Sequence, residues 1–171
     1  MLGGFRAKNT HHFTDAFFTG TPDAITPDTV EDVKTAFSLR TFLQVKEPSK
    51  LYFAQLQVYM ELVGLNQARL IWCLVPTPEV IVERLEKRIL AKYGWDEENK
   101  QYIEAAKQIR FNHIGLVESL PAEKRIKVFT FERDEAYLEE LKFRVEKARE
   151  YYNELTEHFK EHGFFEVSFK E

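Results

Sequence analysis

Five side chains in the first third of the chain have the types and spacing of a hydrolytic site. Asp23 closes one segment that reads as a strand, Asp32 and Lys34 lie on the next, and Gln55 and Tyr59 lie on a segment that reads as a helix. Asp32 and Lys34 are i and i+2, so a strand presents both on one face. A hairpin turning at Pro27 can bring Asp23 back beside Asp32. Two carboxylates at ~4 Å repel by roughly 1–4 kcal/mol, depending on the dielectric. A site that keeps both ionised therefore wants a cation, and oxygen ligands of this kind suit Mg²⁺ or Mn²⁺. Such an ion lowers the pKa of a bound water and polarises a phosphoryl oxygen. Lys34 can orient or deprotonate that water, or stabilise charge on the phosphate. These parts together suit hydrolysis of a phosphodiester. Gln55 and Tyr59, i and i+4, share a helix face and can bracket the metal site or touch a nucleic-acid backbone.

The elements that must position these residues follow from pattern. Residues 1–12 are small and polar and read as a poorly structured lead-in. From Phe13 to Ile25 the chain is rich in Phe and Thr and broken by Gly20 and Pro22, which predicts strand, turn or bulge, then strand. Thr26-Pro27-Asp28 is a turn. Val30 to Phe37 alternates, with Val30, Asp32, Lys34 and Ala36 on one face and Glu31, Val33, Thr35 and Phe37 on the other; it is expected to pair as a hairpin with the strand before it. Residues 38–47 read as a polar loop. Pro48 and Ser49 introduce a helix to about Val63, closed by Gly64. Ala68 to Val75 is short and nearly all apolar, which predicts a strand covered on both faces. Thr77 is a candidate N-cap for a helix to about Lys92. A break at 93–96 is followed by a second helical stretch to about Leu120, so that 93–121 is a helical insertion ended by Pro121. Ile126 to Glu132 alternates as a strand. A long charged helix spans 134–162, Gly163 stops it, and Phe164 to Phe169 can add a short terminal strand. The expected fold is a single α/β domain over 1–171, a mixed central sheet flanked by helices in the order β-hairpin, α, β, α, α, β, α.

Length and composition agree with one domain. The chain has 171 residues, 44% apolar and 30% charged, and its 15 Phe residues point to an aromatic core. Its single cysteine, Cys73, rules out a disulfide framework or a Cys-based metal cluster within one chain. A lone buried thiol fits a reducing, cytoplasmic setting. No apolar stretch is long enough for a membrane span. The net charge of −4 is not a general nucleic-acid signature, which is basic. Residues 1–70 hold 7 basic and 7 acidic side chains, however, so the acid excess lies wholly in the C-terminal part.

The motifs also resemble a known family. Pro22-Asp23, eight intervening residues, then Asp32-Val33-Lys34 is similar to the signature of the PD-(D/E)xK nuclease superfamily. Gln55 followed by Tyr59 resembles the extra motif of its RecB-like and lambda-exonuclease-like branches. The wider run over residues 13–92 looks most like a phage-type exonuclease of the YqaJ viral recombinase group. The resemblance implies a restriction-endonuclease-like core acting on linear duplex DNA ends in recombination or repair. It implies Asp23, Asp32 and the Val33 carbonyl as metal ligands, Lys34 as the catalytic lysine, and Gln55 and Tyr59 as supporting residues. DNA is then the partner, with a single-strand annealing protein and a homo-oligomer as further expectations and no membrane. One family element is missing: an acidic residue, or in some branches a histidine, on a helix ahead of the hairpin. The only earlier Asp is Asp15 and the first Glu is Glu31. Truncation, a partner chain, substitution by His11 or His12, and loss of activity are the open accounts. The rival from another class is a non-catalytic DNA-binding or assembly subunit, and an endonuclease is the rival within the enzyme class.

The remaining signals are weaker. Arg40, Lys46 and Lys50 follow the site and can contact phosphates, or belong to an ordinary solvated loop. His11 and His12 are adjacent, so a regular strand cannot point both at one site. Cys73, amid Ile, Trp and Leu, reads as a structural thiol. Ile109 to Ile114 mixes basic, aromatic and polar groups, with packing of the two isoleucines the safer expectation.

Overall fold

The computed structural model describes residues 7–162. A four-stranded mixed sheet runs in the order β3-β4-β5-β6, where β3 is Ala24–Ile25, β4 Thr29–Ala36, β5 Gln67–Leu74 and β6 Ile126–Glu132. β3 and β4 are antiparallel, β4 and β5 parallel, and β5 and β6 antiparallel. A separate ribbon pairs β1 (Phe13–Thr14) with β2 (Thr19–Gly20). The expected hairpin closes at Thr26–Thr29: Thr26 N–H donates to the Thr29 carbonyl (2.9 Å), and Thr29 N–H donates to Thr26 Oγ1 (3.0 Å).

A parallel pair needs a crossover. It is carried by α1 (Leu39–Gln44) and α2 (Lys50–Val63). The α2 ends lie where the sequence puts them. Tyr52 N–H donates to Ser49 Oγ (3.4 Å), and Gly64, at φ 75°, takes the left-handed C-cap conformation and donates to Met60 and Glu61 carbonyls. α1 was not expected: residues 38–47 read as a polar loop. Thr41 N–H donates to Ser38 Oγ (3.5 Å), and Phe42 enters the core. One buried side chain in a short polar segment is too little periodicity to reveal a helix. Lys127 Nζ donates to the carbonyls of Phe42 (2.6 Å) and Val45 (2.7 Å), satisfying the end of that helix.

α3 (Glu79–Tyr93) and α4 (Lys100–Arg110) form an antiparallel pair joined by the Gly94–Asn99 turn, and α4 runs on through a π-helical turn (Phe111–Gly115) into α5 (Leu116–Ser119). Thr77 does not cap α3. The cap position is Pro78, without a side-chain bond, and the Thr77 hydroxyl donates instead to the Phe37 carbonyl (3.0 Å). A 3₁₀ turn (Ala122–Arg125) leads into β6, and α6 spans Glu135–His162. Gln57 fastens α6 to the sheet: its Nε2 donates to the Glu132 carbonyl and its Oε1 accepts from Asp134 N–H, both at 2.8 Å. The strand expected at Phe164–Phe169 lies outside the described residues.

The core lies on one face of the sheet. Val30, Ala36, Ala68, Leu70, Trp72 and Leu74 pack there against Leu56, Tyr59 and Met60 of α2 and Phe42 of α1. The opposite face is more open than expected: Val33 and Val128 are 41% and 43% exposed, and Arg69 and Cys73 are half-buried. β5 is thus covered on its second face at Ile71, which is buried, and only partly at Arg69 and Cys73. Its apolar run reflects a central place between two strands, which the sequence pattern does not distinguish from cover by two layers.

Candidate active site

The Asp23–Asp32 juxtaposition is a matter of register. Ala24 pairs with Glu31, so Asp23, one residue earlier, falls opposite Asp32, one residue later. Backbone pairing on this edge stops at that point, and a side chain takes over: Val33 N–H donates to Asp23 Oδ2 (2.8 Å). In a strand the N–H and C=O of one residue point the same way, so the Val33 carbonyl also faces the edge beyond β3. An open cleft of about 310 Å³, lined by Lys8, Asp23, Ala24, Glu31 and Val33, lies against this edge.

Asp32 is 3% exposed on the core-side face of β4. Lys34 Nζ lies 2.6 Å from its Oδ2, and that buried oxygen has no hydrogen bond of good geometry. The contact is a close charge-assisted one that leaves the rest of the oxygen's accepting capacity unused. Burial pushes the Asp32 carboxyl above the ordinary carboxylate pKa, the Lys34 ammonium pulls it back, and the Asp23 charge adds to the rise. Lys34 Nζ also stands 5.2 Å over the Tyr52 ring on α2.

Gln55 and Tyr59 act as a pair one turn further along α2. Gln55 Nε2 donates to Tyr59 Oη (2.8 Å). The Tyr59 ring lies on Gly20, where a Cβ would stand 2.6 Å from Cε1. Both residues line a largely apolar groove of about 450 Å³ together with Phe18 and Leu141. No hydrogen bond among the described residues joins the pair to Asp23, Asp32 or Lys34. The structure thus brings Asp23, Asp32, Val33 and Lys34 into one cluster, with Lys34 over the Tyr52 ring of α2, and places Gln55 and Tyr59 on that helix in a separate groove. Arg40, Lys46 and Lys50 are all exposed.

The lead-in is tied down where it is described. Asn9 N–H donates to the Asp23 carbonyl (2.8 Å), and its Nδ2 donates to the Pro22 carbonyl (3.0 Å). Both ring nitrogens of His12 are engaged by threonine hydroxyls, Nδ1 with Thr21 (2.9 Å) and Nε2 with Thr19 (2.7 Å). His11 lies edge-on to Phe13 with ring centroids 4.5 Å apart. In this arrangement both His12 nitrogens are taken up by the β1–β2 ribbon and its flank. Cys73 is half-buried in β5, and burial raises its thiol pKa, which suits a structural role.

Pattern reading missed two residues of the cleft against the Asp23 edge. Glu31 is fully buried, with Arg69 Nη1 3.4 Å from its Oε1, and lines the Asp23 cleft. Alternation had set it on the face opposite Asp32. Lys8 lines the same cleft, and nothing in the sequence marks it.

The cluster fits a hard divalent cation in its donor chemistry. Two carboxylates, one with a buried oxygen of unused accepting capacity, and a carbonyl free of the ladder are oxygen donors of the kind Mg²⁺ and Mn²⁺ accept while keeping several waters. Among the described residues no group of three or more His, Cys, Asp and Glu side chains converges as a metal cage. Among them, too, no helix is long and apolar enough to cross a membrane.

No protein-family model and no curated protein sequence matches the chain. Solved structures do. A phage-related exonuclease from Haemophilus somnus 129PT superposes with a TM-score of 0.70 at 26% identity, over 92% of this chain and 65% of that one. An alkaline exonuclease from Laribacter hongkongensis gives 0.54 at 15% identity, over 92% of this chain and 60% of that one, a likeness of fold. The chain thus spans less than two thirds of the length of either. These likenesses support the resemblance of the chain's motifs to the PD-(D/E)xK nuclease superfamily, and its fold is that of the phage-type exonucleases.

Proposed function

We propose that this chain forms the core of a metal-dependent DNA nuclease of the exonuclease type, hydrolysing phosphodiester bonds at ends of linear duplex DNA. The observation that carries the reading is Asp32: a carboxyl buried at a hairpin edge, near a second carboxylate and 2.6 Å from a lysine on the same strand face. Holding a carboxylate there costs stability, and such perturbed groups concentrate at functional sites.

Asp23, Asp32 and the Val33 carbonyl are the groups that would hold Mg²⁺ or Mn²⁺. The bound ion supplies Lewis-acid polarisation of the phosphate and a water of lowered pKa. Lys34 places its ammonium where it can orient the attacking water by donating to its oxygen and stabilise the negative charge that builds on the phosphate. Tyr52, under the Lys34 ammonium, limits the directions that side chain can take. The Gln55–Tyr59 pair stiffens the α2 face beside it. Arg40, Lys46 and Lys50 are the cations nearest in sequence for phosphates of the bound duplex. A single-strand annealing protein that receives the exposed strand, and a homo-oligomer, are the partners this reading implies.

The test is nucleotide release from linear duplex DNA with Mn²⁺, beside an EDTA control and Lys34→Ala. Metal-dependent release that falls about 10²-fold or more in the variant supports the reading. No release by folded wild-type protein sinks it for this chain. One observation favours a second reading: the cluster holds two carboxylates where a cage of three acidic or histidine groups would bind metal more firmly. A non-catalytic DNA-binding or assembly subunit predicts no metal binding at millimolar Mg²⁺ or Mn²⁺.

A further inference from the structure

We propose that the trough between α3 and α4 is a second nucleic-acid site, one that takes an unpaired DNA strand close to the hydrolytic cluster. It rests on the nuclease reading above. The trough is an open groove of about 660 Å³ lined by Leu85, Arg88, Ile89 and Lys92 of α3 and by Ile109 and His113 across from them. The α3 residues recur at i, i+3, i+4 and i+7 and form one face. The floor is apolar and the rim cationic. Among the described residues Arg88 and Lys92 have no carboxylate partner, whereas Arg110 on α4 is held by Glu79 and Glu86.

At the end of α3, Tyr93 and Trp95 stack at 4.6 Å between centroids and 19° between planes. Tyr93 is 53% exposed, and Lys92 Nζ stands 4.8 Å over its ring. Unpaired cations beside an exposed aromatic platform are what a single strand needs: its bases stack on the rings and its phosphates meet the cations. A duplex keeps its base faces stacked on one another. An acidic peptide would meet the cations and leave the platform unused. The acidic turn Asp96-Glu97-Glu98 repels phosphates, which confines the strand to the Arg88–Lys92 flank.

The trough is also fixed near the cluster. The Thr77 hydroxyl donates to the Phe37 carbonyl, so its oxygen accepts from His113 Nδ1 (3.1 Å); Thr77 N–H donates to the His113 carbonyl (2.9 Å). Phe37 is three residues beyond Lys34, roughly 10 Å at the rise of a strand. A strand leaving the scissile bond therefore reaches the trough within a few nucleotides. The π-helical turn that delivers His113 is a device that recurs at functional sites.

Trp72→Phe leaves Trp95 as the sole tryptophan of the chain's two. Its emission is titrated with a thymidine oligonucleotide in EDTA, so that hydrolysis does not enter. Saturable quenching opposed by salt is expected. Arg88→Ala with Lys92→Ala should lower the slope of log affinity on log salt by about 1.4, from ~0.7 per phosphate contact. Tyr93→Ala should weaken binding further with an unchanged far-ultraviolet spectrum. Anisotropy of the labelled oligonucleotide with otherwise wild-type protein repeats the comparison without the Trp72 change. Absence of quenching, quenching as strong by a blunt duplex, or displacement of the oligonucleotide by polyglutamate each overturns the proposal. Quenching without metal-dependent nucleotide release keeps the site and fails the nuclease reading; release without quenching does the reverse.

Discussion

Gly20→Ala tests the packing that couples the β1–β2 ribbon to α2. The added Cβ would lie 2.6 Å from Tyr59 Cε1, 3.1 Å from Cδ1 and 3.5 Å from Leu62 Cδ1. The first distance is far inside contact, so the ring or the ribbon must move. Tyr59 cannot swing away freely, because it is buried and its hydroxyl accepts from Gln55. Overpacking of this kind costs about 1–3 kcal/mol, and loss of the Gln55–Tyr59 hydrogen bond adds about 0.5–1.5 kcal/mol. Alanine recovers about 0.4–1 kcal/mol by restricting the unfolded chain, since Gly20 is not among the glycines with positive φ. The net loss is about 2 kcal/mol, which for a chain of this size lowers Tm by about 4–8 °C. Thermal unfolding followed by circular dichroism reads it. Tyr59→Leu removes the clashing ring edge, so the double variant should be more stable than the sum of the two single losses by about 1 kcal/mol. A Gly20→Ala variant within about 0.5 kcal/mol of wild type, or strictly additive losses, would refute the account of Tyr59 as a fixed ring seated on Gly20.

The pH dependence of Asp32 has a definite sign. Burial raises its folded pKa above the ordinary 3.8, so its favourable contribution is complete below that value and is lost as pH rises through the folded pKa. Asp32→Asn should therefore gain Tm relative to wild type as pH climbs from 4 towards 8; a gap that stays constant or shrinks refutes the assignment. The same variant should lose any Tm increase that millimolar Mn²⁺ gives wild type, a shift read by repeating the melts with metal and with EDTA. Gln57→Leu strands the Glu132 carbonyl and the Asp134 N–H, at ~1–3 kcal/mol each; a urea midpoint unchanged from wild type would show that water replaces the amide.

On the proposed nuclease reading, function and stability pull apart on β4. The strand buries Asp32 and Glu31 on opposite faces and leaves Val33, the next residue, exposed. A strand selected for packing alone would place apolar groups at 31 and 32 and keep its polar residues in water. Here Arg69 and Lys34 stand against the buried carboxylates, which lessens the cost of burial without converting it into a net gain. On α2, Leu56, Tyr59 and Met60 fill the core while the Tyr52 ring lies under the Lys34 ammonium.

Local rules legible in the chain determined much of this protein. Pro27 between alternating segments set the hairpin, Ser49 and Gly64 set both ends of α2, and the i, i+2 spacing of Asp32 and Lys34 put them on one face. These features depend on neighbours in sequence, through backbone geometry and capping bonds. The tertiary structure decided what depends on partners far along the chain. Register alone brought Asp23 to the Val33 amide. Long-range bonds turned Thr77 from a helix cap into a bridge between Phe37 and His113, and fixed α1 through Lys127, more than eighty residues away. The uneven cover of the sheet's second face, closed at Glu31 and Ile71 and open at Val33 and Val128, was likewise invisible, because an apolar strand reads the same whether strands flank it or a helix covers it. Sequence spacing determines which side chains share a face; only the assembled fold determines what that face meets.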